Sequence, residues 1–512
     1  MDQSEILKPE ELDASSKGHP KGLYVLFATE MWERFNYYGM RAILVLFMTK
    51  ALLFDKAFAS NLYGSYTGLV YLTPLIGGFV ADRFWGNRRS IITGGVLMSL
   101  GNLIMFACAS MYQTNLQLSA FLFFTGLGLM IAGNGFFKPN ISSMVGQLYA
   151  PGDRRIDSAY TIFYMGINVG GALGPFICGY FGDTGDPADF KWAFLCASIA
   201  MAIGVIVFIY LKDKYVRHPD GQPLGLSPLH PDAKKPNPVF VYLALAAFVA
   251  ICVGMLYIDA KVYSYLSYLL ILAMVGMGFL IFGDKKLTVV EKKKISVIFI
   301  VAFFVVFFWS AFEQAGASLT FFAEEQTQRD LGFFTVPASW FQSLNSIFVI
   351  IFAPIFAWLW IKLGKREPSA PTKMALGLLL LAIGYFVIAV GVKDIGPGIK
   401  VSMIWLIGMY AFHTWGELCL SPIGLSLVNK LSPVKFASLL MAVWFLANAG
   451  SNVLAGKLSA LYPDGTKVTS FAGYQMHDLN DFFMLFVFMA GIASIILFFL
   501  TKWLQKTMTA TS

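Results

Sequence analysis

The sequence predicts an all-α integral membrane protein built from many spanning helices, and three observations carry that prediction. Apolar residues make up 57% of the chain and charged residues 13%, with a mean hydropathy of +0.66; soluble domains run at about 45–50% apolar and about 25% charged. The apolar residues fall in runs of about 20, the length a helix needs to cross a bilayer core. Lysines and arginines gather in alternate connections between those runs, which is how topology is set.

Taken in order, roughly fourteen spanning segments are expected. They lie at 23–49, 60–81, 90–110, 116–138, 158–182, 190–211, 238–257, 263–283, 295–323, 337–362, 373–392, 400–428, 436–458 and 480–503. Residues 1–22 form a polar tail with Lys8, Lys17 and Lys21. It lacks the short apolar core and cleavage site of a secretory signal, so the first segment is expected to stay in the membrane. With the N-terminus cytoplasmic, both tails and the even-numbered connections hold roughly 26 basic residues against about 9 outside. Both termini are therefore expected in the cytoplasm. The +8 net charge then reports topology, and nucleic acid is not an expected partner.

The chain also looks duplicated. GGFVADRFWGNRR follows the second segment, and FAWLWIKLGKRE, a weaker echo, follows the tenth. This predicts an N-terminal six-helix bundle at 23–211, a cytoplasmic linker with two extra helices at 212–294, a second six-helix bundle at 295–503 and a tail at 504–512. Paired repeats with a substrate site near the midplane are how many secondary transporters are built. Cys108, Cys178, Cys196, Cys252 and Cys419 lie in apolar segments without paired spacing, and read as small buried hydrophobes. No metal-ligand cluster, Ser/His/Asp set or phosphate-binding glycine loop appears, so no enzymatic activity and no metal or organic cofactor is expected.

The first segment contradicts its own hydropathy. ATEMWERFNYYGMRAILVLF carries Glu30, Glu33, Arg34 and Arg41, although a charge at a helix centre costs about 2.5–3.5 kcal/mol even on the lenient insertion scale. Glu30, Arg34, Tyr38 and Arg41 are spaced by 4, 4 and 3, so one helical face holds them all. Such a stripe must face a protein interior or a watery cavity. Three further charges lie within spanning segments. Lys138 sits in FFKPN beside helix-breaking Pro139, Glu313 lies in FFWSAFEQAG, and Glu417 precedes Ser421 by one turn.

These residues also carry a family resemblance. The loop after the second segment, with Gly78, Asp82, Arg83, Gly86, Arg88 and Arg89, resembles the signature of the major facilitator superfamily. Glu30-x-x-Glu33-Arg34-Phe35 followed by Tyr37-Tyr38-Gly39 resembles the ExxERFxYYG motif of the proton-dependent oligopeptide transporters. YLTPLIGGFVADRFWG, FYMGINVGGALGP and GELCLSPIGLSLV follow in the same order. The resemblance spans nearly the whole chain, including the two extra helices of bacterial members. It implies a major facilitator fold, two six-helix bundles plus two inserted helices, importing di- and tripeptides with protons.

A short peptide suits these charges. It is a zwitterion whose ends lie roughly 5–10 Å apart, so Arg34, Arg41 and Lys138 on one bundle and Glu417 on the other could clamp both ends. The resemblance implies that Arg34, Lys138 and Tyr38 hold the carboxylate end, with Tyr71, Tyr164 and Asn168 as polar contacts of the first bundle. It implies that Asn345, Glu417 and Ser421 surround the amino end, and that Trp309 and Trp444 supply aromatic walls. For proton coupling, Glu30 and Glu33 can trade between Arg34 and Lys138, and Glu313 matches the acid that pairs with the first-helix arginine, here Arg41. Gly78, Asp82, Arg83 and Arg88 match the gating loop. One departure is plain: mammalian members carry a histidine at the position of Gly64, so a histidine relay does not transfer. His413 reads as a packed core residue. The alternative keeps the fold but carries another small anion or solute such as nitrate; Glu417 weighs against it, because a carrier of simple anions needs no acid facing a ligand amine.

Overall fold

The computed structural model describes residues 18–228, 238–261, 265–395, 399–420, 424–463 and 468–509. Most of the expected N-terminal tail and Ser421 lie outside the described residues. Seven helices build the first bundle: α1 (Lys21–Leu46), α2 (Lys56–Leu72), α3 (Pro74–Val80), α4 (Gly86–Met111), α5 (Leu116–Gln147), α6 (Ile156–Gly182) and α7 (Phe190–Tyr215). The inserted pair is α8 (Pro238–Lys261) and α9 (Tyr265–Phe282). The second bundle holds α10 (Val289–Phe312), α11 (Ser318–Glu325), α12 (Ser343–Leu363), α13 (Ala370–Gly391), α14 (Met403–Leu420), α15 (Gly424–Leu431), α16 (Ala437–Ser459) and α17 (Leu479–Met508).

Eleven helical stretches among the described residues are long and apolar enough to cross a membrane. The chain is a multi-pass membrane protein. The expected fourteen segments differ from these eleven at three places, each for a physical reason. The stretch Lys56–Met111 counts once yet holds two expected segments, joined at Trp85–Gly86. Helix α1 carries Glu30, Glu33, Arg34 and Arg41 inside its apolar run, and α14, the described part of the helix expected at 400–428, carries His413 and Glu417.

A further difference lies in the segment expected as one helix at 295–323. Helix α10 ends at Phe312, a tight turn covers Glu313–Gly316, and α11 restarts at Ser318. The turn packs so closely that only glycine fits at its end: a Cβ on Gly316 would lie 1.8 Å from the Tyr63 hydroxyl. The run FFWSAFEQAGASLTFFAEE is apolar on both sides of the break, so periodicity alone could not reveal it.

Within the first bundle α1 packs on α6 and α7, and α4 on α5 and α7; within the second, α13 packs on α14 and α17, and α10 on α16 and α17. Between bundles, α2 crosses α16 and α6 crosses α12. The α2/α16 crossing is close because Gly64 meets Gly456, where a Cβ on Gly64 would stand 2.7 Å from the Gly456 Cα. Small residues permit this approach between spanning helices. A histidine at position 64 has no room here, which gives the missing relay a structural reason.

The loops sort to two faces. At one, Arg155 donates to Gly18 O at 2.7 Å, and Arg88 reaches Asp213 and the 216–224 carbonyls. Gly86, at φ +74 and 2.4 Å from Leu226 O for any added Cβ, lets this loop lie against the linker. At the opposite, distal face, Thr327–Gln328 and Val401–Ser402 pair as short parallel strands. Bonds joining the two bundles cluster toward this distal face. Lys50 pairs with Glu324, Lys56 with Glu325 at 2.5 Å, and Ser60 with Ser459 at 3.1 Å.

Candidate functional site

Helix α1 places its charged stripe toward the interior. Glu30, Glu33, Arg34 and Arg41 are each no more than 6% exposed, so a partner for each charge decides whether the helix is tolerated. Arg34 Nε lies 2.9 Å from Glu30 and 2.6 Å from Glu33. Glu33 also accepts from Asn134 Nδ2 at 3.1 Å. Arg34 Nη2 is buried and has no hydrogen-bond partner among the described residues. Lys138 makes no ion pair among the described residues; its ammonium stands over the Tyr71 ring, 4.4 Å from the centroid.

Arg41 is neutralised differently. Its Nη1 lies 3.0 Å from Glu313 of the second bundle, with both side chains under 8% exposed. It also stands over the Tyr38 ring at 5.3 Å. The turn at Glu313–Gly316 ends α10 where this carboxylate reaches the arginine. On the far side, Glu417 on α14 accepts from Asn345 Nδ2 at 2.8 Å, and Asn345 also donates to Thr414 at 3.2 Å.

These groups meet at an interior cavity of about 90 Å³ between the bundles. Of the side chains singled out from the sequence, Tyr38, Arg41, Tyr71, Trp309, Glu313, Asn345 and Glu417 line it. Arg34 and Lys138 lie off this cavity, linked to it through Tyr71, the ring that Lys138 covers. Tyr164 is 38% exposed, and Asn168 on α6 donates to its carbonyl at 2.9 Å. Trp444 is buried against Gly424 of α15. His413 packs on Tyr385 at 4.7 Å and also borders the cavity. In the loop motif, Gly78 faces Pro139 and Arg88 is buried, whereas Asp82 and Arg83 point to solvent with no bond among the described residues.

Sequence reasoning passed over Gln342, Ser346, Tyr410 and Thr414. Gln342 donates to Thr320 at 2.9 Å and to Ala42 O at 3.3 Å, bridging bundles at the cavity wall. The signal for Ser346 was available, since it is adjacent to Asn345. Gln342 sits in an ordinary helix entry and gives none.

A family model described as the POT family matches residues 88–477. This chain belongs to the POT family. It is 37% identical, over 87% of its length and 88% of the relative, to the uncharacterized transporter YclF of Bacillus subtilis. It is 34% identical to a di-/tripeptide transporter of Lactococcus lactis subsp. cremoris, over 89% of this chain and 92% of that one. Among solved structures it is similar to a mutant peptide transporter POT in complex with alafosfalin, with a TM-score of 0.81, 33% identity, and coverage of 98% and 100% of the two chains. The fold is thus the all-α major facilitator architecture of POT transporters.

Proposed function

We propose that this POT-family chain is a proton-coupled symporter that imports di- and tripeptides across the cytoplasmic membrane by alternating access, with both termini in the cytoplasm. The observation that carries the reading is the cavity with Arg41 on one wall and the Asn345-held Glu417 on the other. A zwitterion places an anion and a cation across such a space, and the aromatic walls tolerate varied side chains between them. Arg41, Tyr38, Tyr71 and Arg34, with Lys138 nearby, take the carboxylate. Glu417, Asn345 and Ser421 take the ammonium, Tyr164 and Asn168 extend the polar wall, and Trp309 and Trp444 the apolar one.

Protons are the coupling ion, and no other cofactor enters. Glu313, Glu30 and Glu33 are the carboxyls that would carry them: each is paired with an arginine, and loss of that partner in a low-dielectric site favours proton uptake. Protonation of Glu30 or Glu33 frees Arg34, and protonation of Glu313 frees Arg41. The Gly78–Arg88 loop, anchored by Arg88 on the 212–224 segment, steadies the cytoplasmic face, and lipid covers the outer helix faces. An anion carrier would gain nothing from Glu417, so nitrate is not favoured.

The test is uptake of labelled dialanine into proteoliposomes with and without an inward proton gradient. Gradient-dependent accumulation is expected. Transport of nitrate but not dialanine would overturn the reading.

A further inference from the structure

Helix α6 meets α12 and the short turn before it, Ala338–Gln342, through a row of contacts between the bundles. Ser343 Oγ donates to Ala172 O at 2.8 Å, and Trp340 Nε1 donates to Phe176 O at 2.8 Å while its ring stacks on Phe176 at 4.1 Å. Ser339 lies against Gly179, where an added Cβ would come within 2.2 Å of its Oγ. The row ends at Asp183, just past α6. Its Oδ2 accepts from both Ser339 N and Ser339 Oγ, each at 3.0 Å. Positions 172, 176, 179 and 183 share one helical face, so the four rungs close or part together.

The rungs before Asp183 are neutral. Asp183 is ionisable, 6% exposed, and borders a cavity of about 510 Å³ at the distal face with Glu324 and Arg329. Glu324, at the end of α11, pairs with Lys50 from beyond α1 and with Arg329 at 2.6 Å. These three are the charged groups facing Asp183 from packed elements. On its own loop, Asp186 is exposed and Asp189 is held by Thr184 at 2.8 Å.

We propose that Asp183 is the outer latch of the transport cycle: a gating residue whose bonds to Ser339 close the distal seam, and whose protonation from that side biases the seam toward closure. The sign follows from burial. Burial holds the Asp183 carboxyl above the ordinary carboxylate range; Glu324 adds to this, while the Ser339 N–H, Lys50 and Arg329 pull the other way. An open seam returns Asp183 to water and to an ordinary value. The proton is therefore bound more tightly when sealed, and acid favours the seal. The bias is fully present below the ordinary carboxylate value and is lost as pH rises through the sealed-state value.

The latch rests on the alternating-access reading, and a direct measurement of the seam separates the two. Spin labels at the exposed Phe181 and Phe333 positions (Phe181→Cys, Phe333→Cys) report the distance between the bundles in nanodiscs across pH 4–8. The open fraction should rise with pH in the labelled parent. Asp183→Asn, neutral at every pH, should stay sealed with a flattened profile. Ser339→Ala removes one donor to the carboxylate, so the midpoint should move up by about 0.5–1 pH unit. An Asp183→Asn profile with the parental slope and midpoint would overturn the latch. If that variant does not fold, an unmoved midpoint in Ser339→Ala overturns it instead. Dialanine uptake by the parent stands or falls independently of either result.

Discussion

Arg34 and Arg41 sit seven residues apart on one face of α1, and they are neutralised in opposite ways. Arg34 finds Glu30 and Glu33 on its own helix, so its pairs survive any motion of one bundle against the other. Arg41 finds Glu313 across the divide, so its pair is strained or broken whenever the bundles rock. On the proposed alternating-access reading, the same residue type on the same helix serves two purposes: one holds charge inside a bundle, the other ties charge to conformation.

The largest expected effect comes from breaking the interbundle pair. Arg41→Leu leaves Glu313 buried and unpaired at a cost of about 3–5 kcal/mol, and should lose both proton-driven accumulation and peptide exchange. Glu313→Gln is the sharper probe, because a neutral side chain mimics the protonated acid. Accumulation, about tenfold for one pH unit at one proton per peptide, should collapse. Exchange of labelled for unlabelled dialanine should survive, since exchange needs no net proton cycle. Accumulation and counterflow are measured on the same preparation. Retained tenfold accumulation would remove Glu313 from proton coupling and pass the role to the Arg34 side.

Glu417→Gln tests the wall opposite Arg41. A hydrogen bond to a charged group is worth about 1.5–3 kcal/mol, so dialanine affinity should fall on the order of 10- to 100-fold while the fold is kept. Binding read by tryptophan quenching decides it, and parental affinity would sink the ammonium assignment. Arg34→Lys should cost less, on the order of tenfold in uptake. Lysine keeps the charge, but cannot bridge two carboxylates and still offer a planar donor to a third. Near-parental uptake would reduce Arg34 to a structural cation.

The α1 stripe was legible in the sequence because charge inside an apolar run is so costly that its spacing alone points inward. The two-bundle plan was legible from run length and the repeated loop motif. The break at Glu313–Gly316 was not, because the run is apolar on both sides of it and shows no apolar–polar period to interrupt. Nor was the distal row of Ser339, Ser343 and Gly179: small residues occur throughout spanning helices, and only the packing of α6 on α12 and the turn before it makes them rungs. Gln342 and Thr414 were missed for a related reason, since an uncharged polar side chain near a helix end carries little cost and so gives little signal.

The smallest expected effect checks whether burial, and not merely a bond across the divide, gives Arg41 its weight. Lys56 and Glu325 also join the two bundles, at 2.5 Å, but their side chains are 31% and 35% exposed. Water and salt screen such a pair, which is worth about 0–1 kcal/mol, and Lys56 keeps its contact with the Tyr462 ring at 5.5 Å when the acid is gone. Glu325→Gln should therefore leave uptake, accumulation and counterflow within about fivefold of the parent. The change should also shrink further in high salt, because an exposed pair is already screened there. If Glu325→Gln instead abolished accumulation as Glu313→Gln does, any ion pair across the bundles would serve for coupling. The contrast between the two arginines would then be one of position along the membrane normal, with burial playing no part.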